Sequence, residues 1–107
     1  MATSTADGAA RAAGVELQTV RPADVLAAID ESTRLVAFDL TAKAADLPAL
    51  VRSLREAAPR VTLLAYGPHV HEAKLEQARQ GGFDVVLSRG AFHRQMGELL
   101  ARYAAGD

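Results

Sequence analysis

Short apolar segments alternate with amphipathic ones along this chain. Residues 15–20 alternate apolar and polar side chains, which is the period of a half-buried strand, and residues 35–40 form a nearly continuous apolar run typical of a strand buried on both faces. Further strands are predicted over 61–66 and 83–87. Because a helical stretch follows each strand, the strands must be parallel and joined by right-handed crossovers. The pattern predicts one α/β domain over residues 1–107, with a four-stranded parallel sheet between two layers of helices.

Capping residues, prolines and glycines mark the ends of the predicted helices. An alanine-rich helix is predicted over 1–14, ending at Gly14, and a second helix begins at Pro22. Asp46 is predicted to cap a third helix, and a fourth covers 71–80. The last helix carries an apolar stripe, beyond which we expect the chain to fray. The stripe consists of Phe92, Met96, Leu99, Leu100 and Tyr103.

The composition indicates a soluble globular protein and narrows the range of its partners. Half of the residues are hydrophobic, and 12 Lys and Arg against 13 Asp and Glu give a formal net charge of -1. The chain therefore lacks the basic excess that non-specific binding to nucleic acid requires. The absence of cysteine excludes disulfides, thiolate zinc sites and cysteine nucleophiles. No apolar run approaches the roughly 18–20 residues of a membrane span, so we expect a cytoplasmic protein with neither nucleic acid nor membrane as a partner.

Ligands and chemistry in parallel α/β sheets collect beyond the carboxyl ends of the strands. In this chain the corresponding loops are 39–43, 66–69 and 88–90. Asp39 is conspicuous because it is the one charged residue in a predicted strand that is otherwise apolar. A functional site is therefore expected where these three loops meet.

Three segments resemble parts of the receiver domain of bacterial two-component response regulators, a CheY-like, flavodoxin-like fold with five parallel strands in the order 2-1-3-4-5. Residues 35–39 (LVAFD) are similar to the strand that ends in the phospho-acceptor aspartate, and residues 46–55 (DLPALVRSLR) are similar to the helix after it. Residues 78–87 (ARQGGFDVVL) resemble a helix-to-strand passage of that family. The resemblance implies a receiver-like fold and a role in bacterial signalling, and it puts Asp39 at the position of the phospho-acceptor.

The residues around Asp39 depart from the receiver pattern. Lys43 stands where the family has a proline, and Tyr66 stands where it has a small hydroxyl residue that contacts the phosphoryl group. Ser88 takes the place of the family's lysine, which leaves Arg89 as a cation displaced by one residue. Phosphoryl transfer to a carboxylate needs a divalent cation, and the acidic pair that binds Mg²⁺ in receivers has no counterpart here. Asp39 could bond its own loop, accept a phosphoryl group or bind a ligand; we expect the first role, with no phosphorylation.

The first, central strand of the receiver fold also has no counterpart, because the chain opens in what corresponds to the first helix. Loss of that strand would leave its neighbours facing a gap with unpaired backbone groups. Direct parallel pairing of 15–20 with 35–40 would close the gap and place the four strands in sequence order. The alternative is a second copy of the chain, which would fill the gap in a swapped or edge-paired dimer.

Several polar residues near the strand ends are candidates for binding a small anion. Thr41, Tyr66, Ser88 and Arg89 could hold one together with the backbone N–H groups at the start of the last helix. A solvated helix start explains the same residues, so this anion site is kept as an alternative.

Metal, cofactor and catalytic signatures are weak or absent in the sequence. His69 and His71, with Glu72 beside them, could offer ligands to a metal, but two nearby histidines in a loop are more often solvated. No serine–histidine–aspartate order with a nucleophile elbow, no dinucleotide-binding glycine motif and no phosphate-binding loop is present. We therefore expect no enzyme, no cofactor and no metal.

The last helix offers a candidate interaction face. Phe92, Met96, Leu99 and Tyr103 form one side of it, and in receiver-like folds this region is a common docking surface, although core packing explains most of the stripe. For a domain without a complete active site, protein contact is the function that its surface can support. The sequence thus predicts a degenerate receiver that binds a protein partner or itself.

Overall fold

A computed structural model describes residues 8, 11–12, 14–41 and 46–104 of the chain. Helices and strands alternate through this part, and we number them in chain order. A 3₁₀ turn at Pro22–Asp24 leads into α1 (Val25–Ala28), followed by β1 (Leu35–Asp39), α2 (Leu47–Ala57), β2 (Thr62–Gly67), α3 (Glu72–Gln80), β3 (Val85–Ser88) and α4 (Arg89–Leu99), which continues as a π-helical turn, Leu100–Ala104.

The described strands form one parallel sheet in the order β1-β2-β3. Leu35 pairs with Thr62 at one end of β1, and Asp39 pairs with Tyr66 at the other. The α/β class and the parallel arrangement predicted from the sequence are therefore confirmed. Of the described helices, none has the length and apolar character needed to cross a bilayer.

Helices pack against both faces of the sheet, and because side chains alternate along a strand, neighbouring residues of each strand contribute to different cores. The first core lies on the face that carries α1, α2 and α3, and the second lies on the face that carries α4. Members of the first core include Phe38, Val51, Leu54, Leu63, Ala65 and Leu75. Members of the second core are Leu64, Phe92, Met96, Leu99 and Leu100.

Local signals in the sequence fix several helix ends. Asp46 caps α2, as predicted, since its Oδ1 accepts a hydrogen bond of 3.0 Å from the Ala49 N–H. After α3 the backbone turns at Gly82, which has φ +106, and a Cβ atom there would lie 3.2 Å from Val51 Cγ1. Glycine is required at this turn because the conformation is left-handed and the approach to α2 is close.

The predicted strand over 15–20 does not form, and the described part of the chain contains three strands rather than four. Val15 and Val20, at its two ends, are half-buried against different cores, whereas Leu17 is 39% exposed. Alternate side chains therefore do not share a buried face. Of the apolar residues in this segment, only Val15 and Leu17 would point to the same side of a strand, and Leu17 is not buried. Two such residues are too few to hold an edge strand in the sheet, so this prediction is wrong.

The predicted helix over 1–14 and the predicted fraying after Tyr103 lie largely outside the described residues, although Gly14 has the positive φ, +72, of a helix stop. β1 was expected to be buried on both faces, but Ala37, at its centre, is exposed. The reason is that β1 is the edge strand of the described sheet, where the second core does not cover its middle.

Candidate functional site

The carboxyl ends of the three strands bring four of the predicted site residues close together. Asp39 is aligned with Tyr66 across β1 and β2, and Ser88 is aligned with Gly67 across β2 and β3. Arg89 follows Ser88 as the first residue of α4. The loops after β1 and β3 therefore face each other, as the parallel topology predicts.

The Asp39 carboxylate is bonded to its own loop. Its Oδ1 accepts hydrogen bonds from the Thr41 backbone N–H, at 2.9 Å, and from the Thr41 Oγ1 hydroxyl, at 2.7 Å. An aspartate side chain that accepts a hydrogen bond from the backbone N–H two residues later forms an Asx turn, which is a common way to bond a loop to itself. Thr41 is thereby engaged in holding Asp39 in place.

Arg89 forms an ion pair with the same carboxylate from fifty residues away in the sequence. Its Nη2 lies 3.1 Å from Asp39 Oδ1 and 3.4 Å from Oδ2. Partial burial by itself raises the pKa of Asp39, but the Thr41 hydrogen bonds and the Arg89 charge outweigh it and hold the pKa below its ordinary value. The carboxylate is therefore charged at neutral pH and neutralised within its own chain.

The Asp39 interactions should stabilise the fold only while the carboxyl is ionised. Because the folded-state pKa lies below the ordinary value, this contribution is complete above about pH 5 and is lost as the pH falls through the folded-state pKa. The pair is partly exposed, so the gain is below about 1 kcal/mol. Urea unfolding from pH 6 down to pH 3 should show the stability gap between the wild type and Asp39→Asn narrowing as the pH falls.

Arg89→Gln is the matched variant for this measurement, because it removes the cation and leaves the Thr41 hydrogen bonds in place. It should reproduce part of the loss at pH 6. A gap between the wild type and Asp39→Asn that stays constant over the whole pH range would contradict this assignment.

Tyr66 is half-buried at the carboxyl end of β2, next to the Asp39–Arg89 pair. Its ring lies parallel to the Phe92 ring, with an interplanar angle of 6° and 4.0 Å between centroids. Burial raises the pKa of the Tyr66 phenol, the negative charge of Asp39 raises it further, and Arg89 opposes the shift. Tyr66 is therefore a neutral, stacked residue beside the second core, and the charges of Asp39 and Arg89 act on its hydroxyl.

Ser88 is engaged in helix capping. Its Oγ accepts a 3.2 Å hydrogen bond from the Ala91 N–H and so satisfies one of the free donors at the start of α4. Of the four residues predicted for an anion site, Thr41, Ser88 and Arg89 thus have partners within the chain. Lys43 lies outside the described residues.

The histidines do not converge with the Asp39 site. His69 and His71 lie in the exposed turn between β2 and α3, and His93 is exposed on α4 with its ring tilted against Phe92. The described ranges contain no group of three histidine, cysteine or acidic residues able to hold a metal ion. The site therefore consists of the Asp39 carboxylate with the Arg89 guanidinium and the Tyr66 phenol beside it. The ion pair holds the end of β1 to the start of α4.

The predicted interaction face on the last helix lies mostly within the second core. Phe92, Met96 and Leu99 are buried, with exposures of 8%, 3% and 7%, and Tyr103 is half-buried beside them. The same apolar stripe is expected of a core helix and of a docking helix, and periodicity alone does not distinguish them. Here the stripe covers the β2 residue Leu64, so it belongs to the second core.

An open sheet edge is the feature that the site residues alone did not indicate. The Thr62 N–H donates to the Arg34 carbonyl, and the Leu40 N–H donates to the Tyr66 carbonyl. Alternate residues of a parallel strand bond to the same neighbour, so the residues between them face outward. Three residues direct their backbone N–H and C=O groups away from β2: Leu35, Ala37 and Asp39. No backbone hydrogen bond reaches these groups from the part of the chain that the structure describes.

In comparisons with known proteins, no protein-family model matches the chain, and no curated protein matches it.

Proposed function

We propose that this chain is a receiver-like interaction module, a pseudo-receiver of bacterial signalling that binds protein through a sheet edge and does not accept a phosphoryl group. The observation that carries the proposal is the open edge of β1, formed by the outward backbone groups of Leu35, Ala37 and Asp39. Such an edge is a template for an additional strand, and main-chain hydrogen bonds supply the affinity when one is added.

The sequence of β1 (LVAFD) lacks lysine and proline, two residues that often protect a sheet edge. The exposed side chain at its centre is the methyl group of Ala37. Its one charged residue, Asp39, is already paired with Arg89. These features support strand addition as the use of this surface, and the engaged carboxylate supports a structural role for Asp39.

In-cell photo-crosslinking at the centre of β1 tests the proposed function. Benzoylphenylalanine at Ala37 should give a covalent protein adduct in cells that naturally produce the chain, since a bound strand would lie against this position. The matched control is the same group at Val70, which is 71% exposed on the turn after β2. Adducts at neither position, or equally at both, would contradict the proposal.

A further inference from the structure

The open edge of β1 is complementary to a second copy of itself. This complementarity identifies a partner, and the inference rests on the proposed function. We infer that a second copy of the chain pairs its β1 strand antiparallel to the first, around a two-fold axis at Ala37. The two three-stranded sheets would then form one continuous sheet. Each copy supplies the same three outward-facing residues, so the interface is isologous.

The positions of the outward groups determine the relative direction of the two strands. In a parallel ladder, a residue whose backbone groups point to the partner strand lies opposite a residue whose backbone groups point away. Two identical edges in symmetric register therefore cannot pair their backbone N–H and C=O groups in this way. In an antiparallel ladder, two directly opposed residues can exchange both of their hydrogen bonds. With Ala37 on the axis, Ala37 faces its own copy and Leu35 faces Asp39 of the second copy, so all outward groups are paired.

Charge and the extent of β1 together select the register of the two strands. An axis at Asp39 would set the two Asp39 carboxylates directly opposite each other, which is destabilising. An axis at Leu35 would leave Ala37 and Asp39 opposite residues that precede the strand, so only Leu35 could pair within β1. An axis at Ala37 pairs the whole strand, and Asp39 then meets the apolar Leu35.

The side chains of β1 are compatible with a second strand at this edge. Ala37 is exposed and is the smallest side chain of β1, so the two methyl groups can meet on the face of the second core. On the opposite face, Val36 would lie beside Phe38 of the second copy and extend the first core across the axis. The formal net charge of -1 leaves little long-range repulsion between two copies.

Disulfide trapping of the purified full chain tests the pairing, because the chain has no cysteine of its own. Directly opposed, hydrogen-bonded residues have Cα atoms about 5.5 Å apart, which is inside the roughly 4.4–6.8 Å range of disulfides. Ala37→Cys should therefore form a covalent dimer under mild oxidation several-fold faster than Val70→Cys at the same concentration. Light scattering of the wild type should give a mass that rises from 11.3 kDa towards twice that value.

Ala37→Lys provides a second, independent measurement. It would place two ammonium groups opposite each other on the axis, so its mass should stay at that of the monomer where the wild type is dimeric. Val70→Lys adds the same charge elsewhere and should dimerise like the wild type. A monomeric wild type would overturn the inference, as would a dimer in which Ala37→Cys crosslinks no faster than Val70→Cys. In either case, adducts at position 37 in cells would leave the proposed function standing with a different partner.

Discussion

Replacing Phe92 with alanine is expected to lower the free energy of unfolding by about 3–5 kcal/mol. This is a large fraction of the roughly 5–15 kcal/mol that holds a typical domain together. Phe92 is only 8% exposed, and it contributes to the second core together with Leu64 and Met96. Its loss removes apolar burial, leaves a cavity between α4 and β2, and deprives Tyr66 of its stacking partner, which alone is worth about 0.5–1.5 kcal/mol.

Equilibrium unfolding in urea measures this effect, and Phe92→Leu is the matched control. Leucine keeps most of the buried volume but cannot stack on Tyr66, so its loss should be clearly smaller than that of alanine. The chain has no tryptophan, and both of its tyrosines, Tyr66 and Tyr103, pack against the second core, so near-ultraviolet circular dichroism reports on the packing of that core. Both variants should change that signal.

The same experiment separates a core role of Phe92 from a docking role. A docking residue would weaken association on truncation and leave the stability of the monomer nearly unchanged. A core residue destabilises the monomer itself. An alanine variant as stable as the wild type would contradict the placement of Phe92 in the second core.

The order of elements from β1 onward could be predicted because local and tertiary signals agree there. The apolar run of β1, the Asp46 cap of α2 and the glycine turn after α3 each specify a boundary by a short-range mechanism. The segment over 15–20 lacked this agreement. The alternation of its side chains is a local signal, but a strand also needs a buried face in the folded chain. Leu17 is exposed and contributes to no such face.

The candidate site was predictable as a location but not as a set of contacts. The parallel topology alone brings Asp39, Tyr66 and Ser88 to the same end of the sheet. The direct pairing of Arg89 with Asp39 depends on how a long side chain spans from α4 to β1, and no spacing rule encodes that reach. The capping role of Ser88 follows from its position before α4, where a serine is a preferred N-cap.

The use of the apolar stripe on α4 shows a second limit of periodicity. A helical repeat of apolar residues identifies a face that will be covered, without identifying what covers it. In this fold Leu64 and its neighbours cover Phe92, Met96 and Leu99. The surface that we propose for association is instead the row of outward backbone groups on β1, which apolar periodicity on a helix does not reveal.

Asp84→Ala is expected to cost about 1–3 kcal/mol of unfolding free energy, because it removes the acceptor of a buried backbone donor. The Leu63 N–H donates to Asp84 Oδ2 at 2.8 Å, and the Asp84 N–H donates to the Leu63 carbonyl at 2.8 Å. Leu63 is fully buried, so water cannot easily replace the lost carboxylate. The side chain of Asp84 thus continues the ladder between β2 and β3 beyond the first residue of β3.

Asp84→Asn distinguishes this ladder role from a simple ion pair. Arg55 Nη2 lies 3.0 Å from Asp84 Oδ1 and also donates to the Gly82 carbonyl at 2.7 Å. The Arg55–Asp84 pair is exposed, so its charge is worth less than about 1 kcal/mol. Asparagine keeps an oxygen that can accept from the Leu63 N–H, and urea unfolding should therefore show a much smaller loss than for alanine. Equal losses for the two variants would mean that the charge of Asp84, and not the hydrogen bond to β2, anchors the start of β3.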